Sequence, residues 1–169
     1  QIEVIVNYHG AELRSLKKKA TDQEYLWNAD AKYWGRTSPV LFPFVGGVKN
    51  KVYRYEGKEY PMNQHGFARD TEFEQMAAGE DFVTYRLCAD EESKKKYPFD
   101  FVLEITHRLE NNRLSVEWNV KNVDNKEMYF TIGGHPAFNV NILPDTDFED
   151  YSLVFKEGIE TLSYILIDA

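Results

Sequence analysis

An all-β fold, an antiparallel sandwich or barrel, is predicted by three features of the sequence. Short runs of alternating apolar and polar residues recur along the chain, Gly, Asn and Pro signals separate them, and no amphipathic helix of more than two turns is present. The aromatic content, 11 Tyr and 11 Phe in 169 residues, suits side chains that pack on pleated surfaces.

Taken in order, Ile2, Val4, Val6 and Tyr8 alternate with Glu3, Ile5 and Asn7, which is the period of a half-buried strand. Residues 11–16 continue it after the His9-Gly10 break, where His9 is a turn residue. Glu24-Tyr25-Leu26-Trp27 is a short strand, and Asn28 and Asp30 are placed to cap one helical turn before Gly35. From Arg36 to Gly47 the chain is too proline-rich for a helix or central strand and too apolar for an exposed loop. It is expected to be buried irregular chain lining a pocket. The arginine at its head either pairs with a carboxylate or offers its planar fork to ligand oxygens. Residues 52–55 and 58–62, joined across Glu56-Gly57, form a hairpin that leads into His65.

Phe82 to Leu87 alternates as another strand, and Asp90-Glu91-Glu92-Ser93 predicts a short capped turn ending before Pro98. The clearest β signal lies at 101–122. Phe101, Leu103, Ile105, His107 and Leu109 share one face, Leu114, Val116, Trp118 and Val120 share a face of the next run, and Asn111-Asn112 turns the chain between them. His107, on an apolar face, is expected to be a packed, hydrogen-bonded residue. Strands are also predicted at 127–132, 151–155 and 160–167.

Composition narrows the partners. With 28 acidic and 20 basic residues the formal charge is -8, so the surface on average repels phosphate backbones and anionic lipid, and no nucleic acid partner is expected. The runs Lys17-Lys18-Lys19 and Lys94-Lys95-Lys96 lack interleaved aromatics and serve as solvated turns. A single cysteine, Cys88, forms no intramolecular disulfide, and neither a signal peptide nor a long apolar run is seen, so a cytoplasmic protein with no membrane role is expected. The start at Gln1 and the apolar run Tyr164-Ile165-Leu166-Ile167 just before Ala169 suggest a piece of something longer.

Two histidines stand in similar company. Gln64-His65-Gly66-Phe67-Ala68-Arg69-Asp70 and Gly133-Gly134-His135-Pro136-Ala137-Phe138-Asn139 each set an imidazole beside glycine and an aromatic ring, which lets backbone approach a small ligand. A Gly-Gly pair before His-Pro also serves simply to turn a chain out of a sheet. No HExxH, no His-x-His and no paired cysteines argue for a metal, and no GxSxG elbow or phosphate-cradling glycine loop is present. What remains is proton transfer or binding by imidazole, guanidinium and aromatic groups.

Three motifs in register, Arg36-Thr37-Ser38-Pro39-Val40-Leu41-Phe42-Pro43, Tyr60-Pro61-Met62-Asn63-Gln64-His65-Gly66-Phe67-Ala68-Arg69-Asp70 and Gly133 to Asn139, closely resemble the aldose 1-epimerase (galactose mutarotase) family, in particular its bacterial branch. The resemblance implies a large antiparallel β-sandwich, galactose mutarotase-like, with residues 1–169 as a single domain forming the N-terminal portion and the C-terminal part missing. It implies that His135 is the general acid serving the sugar ring oxygen, that His65 hydrogen-bonds the sugar, and that Arg36 binds hydroxyls. Phe138 is a further candidate for sugar contact. The expected substrate is a hexose or hexose phosphate, with no metal or other cofactor. The family's glutamate base and substrate-binding aspartate find no counterpart after Asn139. Asp70 is expected to pair with Arg69 rather than act as base, and Glu149 sits in an acidic loop. The alternative is a carbohydrate-binding or sensing module that needs no base.

Overall fold

The computed structural model describes residues 1–155. β1 (Ile2–Val6) and β2 (Leu13–Lys18) pair antiparallel, with a register shift between Ile5 and Val6, and β3 (Gln23–Glu24) adds to β2. Ile2, Val4 and Val6 are half-buried while Glu3 and Ile5 face solvent, as the alternation requires. Tyr8 departs from that pattern and is 58% exposed, because the strand stops at Val6 and the chain turns through Gly10 at positive φ. The strand expected at 24–27 is reduced to β3 and an isolated bridge at Leu26. Here the Glu24 carboxylate takes the place of a strand partner and accepts from the N–H groups of both Leu16 and Leu26, at 2.9 and 3.0 Å.

After β4 (Val40–Leu41), β5 (Val52–Tyr55) and β6 (Lys58–Pro61) form the expected hairpin. Its turn residues Glu56 and Gly57 have φ of 48° and 75°, the left-handed geometry that matches strand twist. Then come β7 (Glu74–Ala78), β8 (Phe82–Cys88), the single helical turn α1 (Glu91–Lys94), β9 (Phe101–Glu110), β10 (Arg113–Asn122) and β11 (Gly133–Gly134). Asp90 and Ser93 cap α1 reciprocally. The main sheet runs in the order β10-β9-β8-β7, all antiparallel. β7, an edge strand exposed along its whole length, has no apolar face to announce it in the sequence.

β9 supplies the floor of the core. Phe101, Leu103, Ile105 and His107 are buried, and the residues between them are half-exposed. Phe42, from the proline-rich segment, packs on Phe101 with ring centroids 5.2 Å apart and is itself fully buried. Tyr97 and Phe99 close the cluster at 4.7 Å. Burying such a ring contributes about 1.5–3 kcal/mol, so this aromatic contact pins the irregular chain to the sheet. The expectation of buried irregular chain at 36–47 holds over 37–43, where Thr37, Pro39, Val40, Leu41, Phe42 and Pro43 are buried, and fails beyond it, where Val45 and Gly47 are exposed.

Two predicted strands are corrected. Residues 127–132 form no ladder, and 151–155 are irregular with Leu153 and Val154 exposed. The strand predicted at 160–167 lies outside the described residues. Val116 and Trp118, on the apolar face of β10, are each 40% exposed and overlook a hollow of about 840 Å³ also bordered by Leu13, Ile105, Pro136 and Phe138. Among the described residues no helix is long and apolar enough to cross a membrane.

Candidate functional site

Residues 131–137 run antiparallel along 37–43, and the prolines explain why only β11 counts as strand. Thr131 N–H donates to the Pro43 carbonyl at 2.9 Å, Gly133 and Gly134 pair with Leu41 and Val40, His135 N–H donates to Pro39 at 3.1 Å, and Ala137 N–H donates to Thr37 at 2.9 Å. Pro39 and Pro43 accept but have no N–H to return, so the ladder shrinks to the two glycines. Past Ala137 the segment changes partner. The Ala137 carbonyl accepts from Trp27 N–H at 2.9 Å, and Asn139 N–H donates to Tyr25 at 2.7 Å. Asn139 Nδ2 adds a bond to the Leu26 carbonyl at 2.7 Å. His135 therefore sits on backbone held from both sides.

His65 is fixed by a different device. Gly66 lies against the Phe42-Pro43 peptide, whose carbonyl receives N–H bonds from Phe67 and Ala68 at 3.0 and 3.1 Å. A Cβ at Gly66 would stand 2.1 Å from the Phe42 oxygen, and φ there is +74°, so only glycine allows this approach. His65 itself has φ 67°, a conformation that costs an L-residue about 1–2 kcal/mol. Two bonds to Gly46 offset that cost: His65 N–H donates to its carbonyl at 2.7 Å, and Gly46 N–H donates to His65 Nδ1 at 3.0 Å. An Nδ1 that accepts leaves the ring proton on Nε2, which makes neutral His65 a donor toward the site.

The two imidazoles meet. Their ring centroids are 5.8 Å apart at an interplanar angle of 67°, and Trp34 packs on the exposed His135 ring at 5.0 Å. Two guanidinium groups flank the pair. Arg36 Nη2 donates to Asp70 Oδ1 at 2.6 Å and Nη1 to the Arg69 carbonyl at 3.4 Å. Arg69 Nη2 donates to the Gln64 carbonyl at 2.7 Å, and its buried Nε has no hydrogen-bond partner among the described residues. Asp70 thus hydrogen-bonds Arg36 and also keeps the expected ion pair with its neighbour Arg69, at longer range. Arg69 Nε is 3.7 Å from Asp70 Oδ2, because its guanidinium turns back to clamp the loop before His65. Arg36 thus pairs with a carboxylate, the first of the two roles open to it.

Electrostatics follow from this crowding. Burial lowers the His65 pKa, and the charges of Arg69, His135 and Arg36 push it further the same way. Burial and the Arg36 charge also lower that of Arg69, against the pull of Asp70. Among the described residues no group of three His, Cys, Asp or Glu side chains is arranged to hold a metal ion.

His65, His135 and Arg36 come together, and Phe138 does not join them. Residues along an extended segment alternate sides. Gly134, Pro136 and Phe138 line the apolar hollow, where Phe138 is 62% exposed, while His135 turns to Trp34 and His65. Arg69 and Trp34 are the site residues that sequence reasoning did not assign. Trp34 lies two positions before Arg36 and Arg69 four after His65, but only the meeting of the three segments gives them a role.

Solved structures place this antiparallel β-rich fold among the mutarotase-like proteins. A galactose mutarotase related enzyme from Lactobacillus acidophilus superposes with a TM-score of 0.86 at 42% identity, covering 88% of this chain and 50% of that one. A galactose mutarotase-like protein from Lactobacillus casei gives 0.81 at 41% identity, covering 86% and 49%. The plasmid protein LacX of Lactococcus lactis subsp. lactis is 36% identical over 154 residues, 88% of this chain and 51% of that protein. The chain belongs to the aldose 1-epimerase family, whose model matches residues 1–165. The fold is accordingly the all-β sandwich of the galactose mutarotase-like proteins. The chain spans about half the length of these relatives.

Proposed function

We propose that this chain carries the acid and sugar-binding side of an aldose mutarotase centre acting on a hexose or hexose phosphate. The anomeric hydroxyl loses its proton to a base, the bond from the anomeric carbon to the ring oxygen breaks, and that oxygen receives a proton from His135. Rotation about the adjoining C–C bond and reclosure by the reverse transfers deliver the other anomer, with no net change in protons or electrons. His65, as an Nε2–H donor, holds a sugar oxygen beside the reacting bond, and Arg36 and Arg69 bind its hydroxyls. In this reading the carboxylate base comes from the part of the family fold that the chain does not span, since Asp70 is engaged by Arg36. No cofactor is called for.

The observation that carries the reading is the convergence of two imidazoles from distant parts of the chain, 5.8 Å apart and beside two guanidinium groups. A carbohydrate-binding module is the second reading, favoured by the commitment of Asp70. Polarimetry on freshly dissolved α-D-glucose and α-D-galactose, paired with NMR of the imidazole resonances, separates them. Catalysis predicts accelerated mutarotation that falls by about 10²–10⁴-fold in His135→Ala. Sugar-dependent imidazole shifts without acceleration assign the module. Acceleration indifferent to His135→Ala removes His135 as the acid, and the absence of both signals removes both histidines from the function.

A further inference from the structure

We propose that Glu12 is a positioning residue for the centre: its buried carboxylate anchors the backbone just after Arg36, and through it the seat of His135. Glu12 is 6% exposed, and its carboxylate hydrogen-bonds neither imidazole. Its Oε1 accepts from Thr37 N–H at 2.6 Å and Ser38 N–H at 2.9 Å, and its Oε2 receives Arg14 Nη1 at 3.3 Å. A buried carboxylate is costly unless hydrogen-bonded, and bonds to ionised acceptors are about twice as strong as neutral ones.

The partner change at Ala137 explains why the carboxylate stands there. Thr37 accepts from Ala137 N–H, and in an ordinary antiparallel pair it would return its own N–H to the Ala137 carbonyl. That carbonyl is already taken by Trp27 N–H. Thr37 N–H would be left buried and unpaired, and Glu12 supplies the missing acceptor together with one for Ser38. The same three-residue stretch carries Arg36 at one end and leads at the other to Pro39, whose carbonyl holds His135 N–H. Glu12 therefore lets residues 131–139 switch from one partner to the next two residues beyond the imidazole.

The test compares Glu12→Gln and Glu12→Ala with the unaltered chain by amide hydrogen exchange, imidazole NMR and polarimetry. Its activity arm rests on the mutarotase reading, and its spectroscopic arm does not. Replacing an ionised acceptor by a neutral amide oxygen in Glu12→Gln is expected to speed exchange at Thr37 and Ser38 about tenfold. The His135 resonance shifts with it, while amides of the β9–β10 hairpin stay as they were. Glu12→Ala enlarges both effects, and glutamine partly rescues them. Where the unaltered chain is active, kcat falls more than KM changes. Faster exchange at Thr37 and Ser38 with an unmoved His135 resonance overturns the proposal, as does unchanged exchange. If Glu12→Ala does not fold, Glu12→Gln decides alone. A chain with no mutarotase activity sinks the function reading and leaves the Glu12 result standing on exchange and resonance.

Discussion

Replacing Gly66 by alanine tests whether the close approach at Phe42 is what holds His65 in place. The added Cβ would meet the Phe42 carbonyl oxygen at 2.1 Å and its carbon at 2.4 Å, both backbone atoms that no rotamer change can move. Overpacking of this kind costs about 1–3 kcal/mol, and the left-handed φ of +74° adds about 1–2 for an L-residue. A total of about 2–5 kcal/mol follows, which for a chain of this size lowers Tm by about 4–20 °C. Gly57→Ala isolates the second effect, since φ is +75° and nothing lies within 4 Å, so about 1–2 kcal/mol is expected. Gly47→Ala, with open space and no positive φ, should stay within about 0.5 kcal/mol. Urea midpoints of the three variants rank them. A Gly66→Ala protein no less stable than Gly57→Ala, or one whose His65 resonance is unmoved, would refute the geometry.

Further expectations concern protonation. Arg69→Leu removes the largest of the charges that lower the His65 pKa, so NMR titration should find that pKa raised, with Arg69→Lys moving it less; a fall would contradict the packing described. Burial likewise depresses the His107 pKa below its ordinary 6.5, with the Ala11 carbonyl bond opposing. Such a histidine stays neutral in the fold while the unfolded chain takes up a proton, so its stabilising contribution is complete above about 6.5 and is lost as pH falls through the folded-state value. The urea midpoint of the unaltered chain should therefore drop more steeply on acidification than that of His107→Leu, and parallel slopes would exclude His107 as the cause.

Local signals were enough for much of this molecule. The 101–122 hairpin follows from period-two alternation around Asn111, whose φ is 57°, the β5–β6 turn from Glu56-Gly57, and the cap of α1 from Asp90 and Ser93, because each depends only on a few neighbouring residues. The motifs around His65 and His135 were likewise legible, since each sets an imidazole next to glycine with an aromatic ring within three residues. What tertiary structure alone decided is who partners whom. Asp70 hydrogen-bonds distant Arg36 as well as pairing with adjacent Arg69, Phe138 turns to the hollow, and Thr131 meets Pro43, which has no N–H to return. Glu12, unremarkable in its sequence context, is the acceptor that Thr37, 25 residues further on, needs because Ala137 has switched partner. Hydrogen-bond demand in a buried backbone is set by every segment that arrives there, and no window of sequence contains them all.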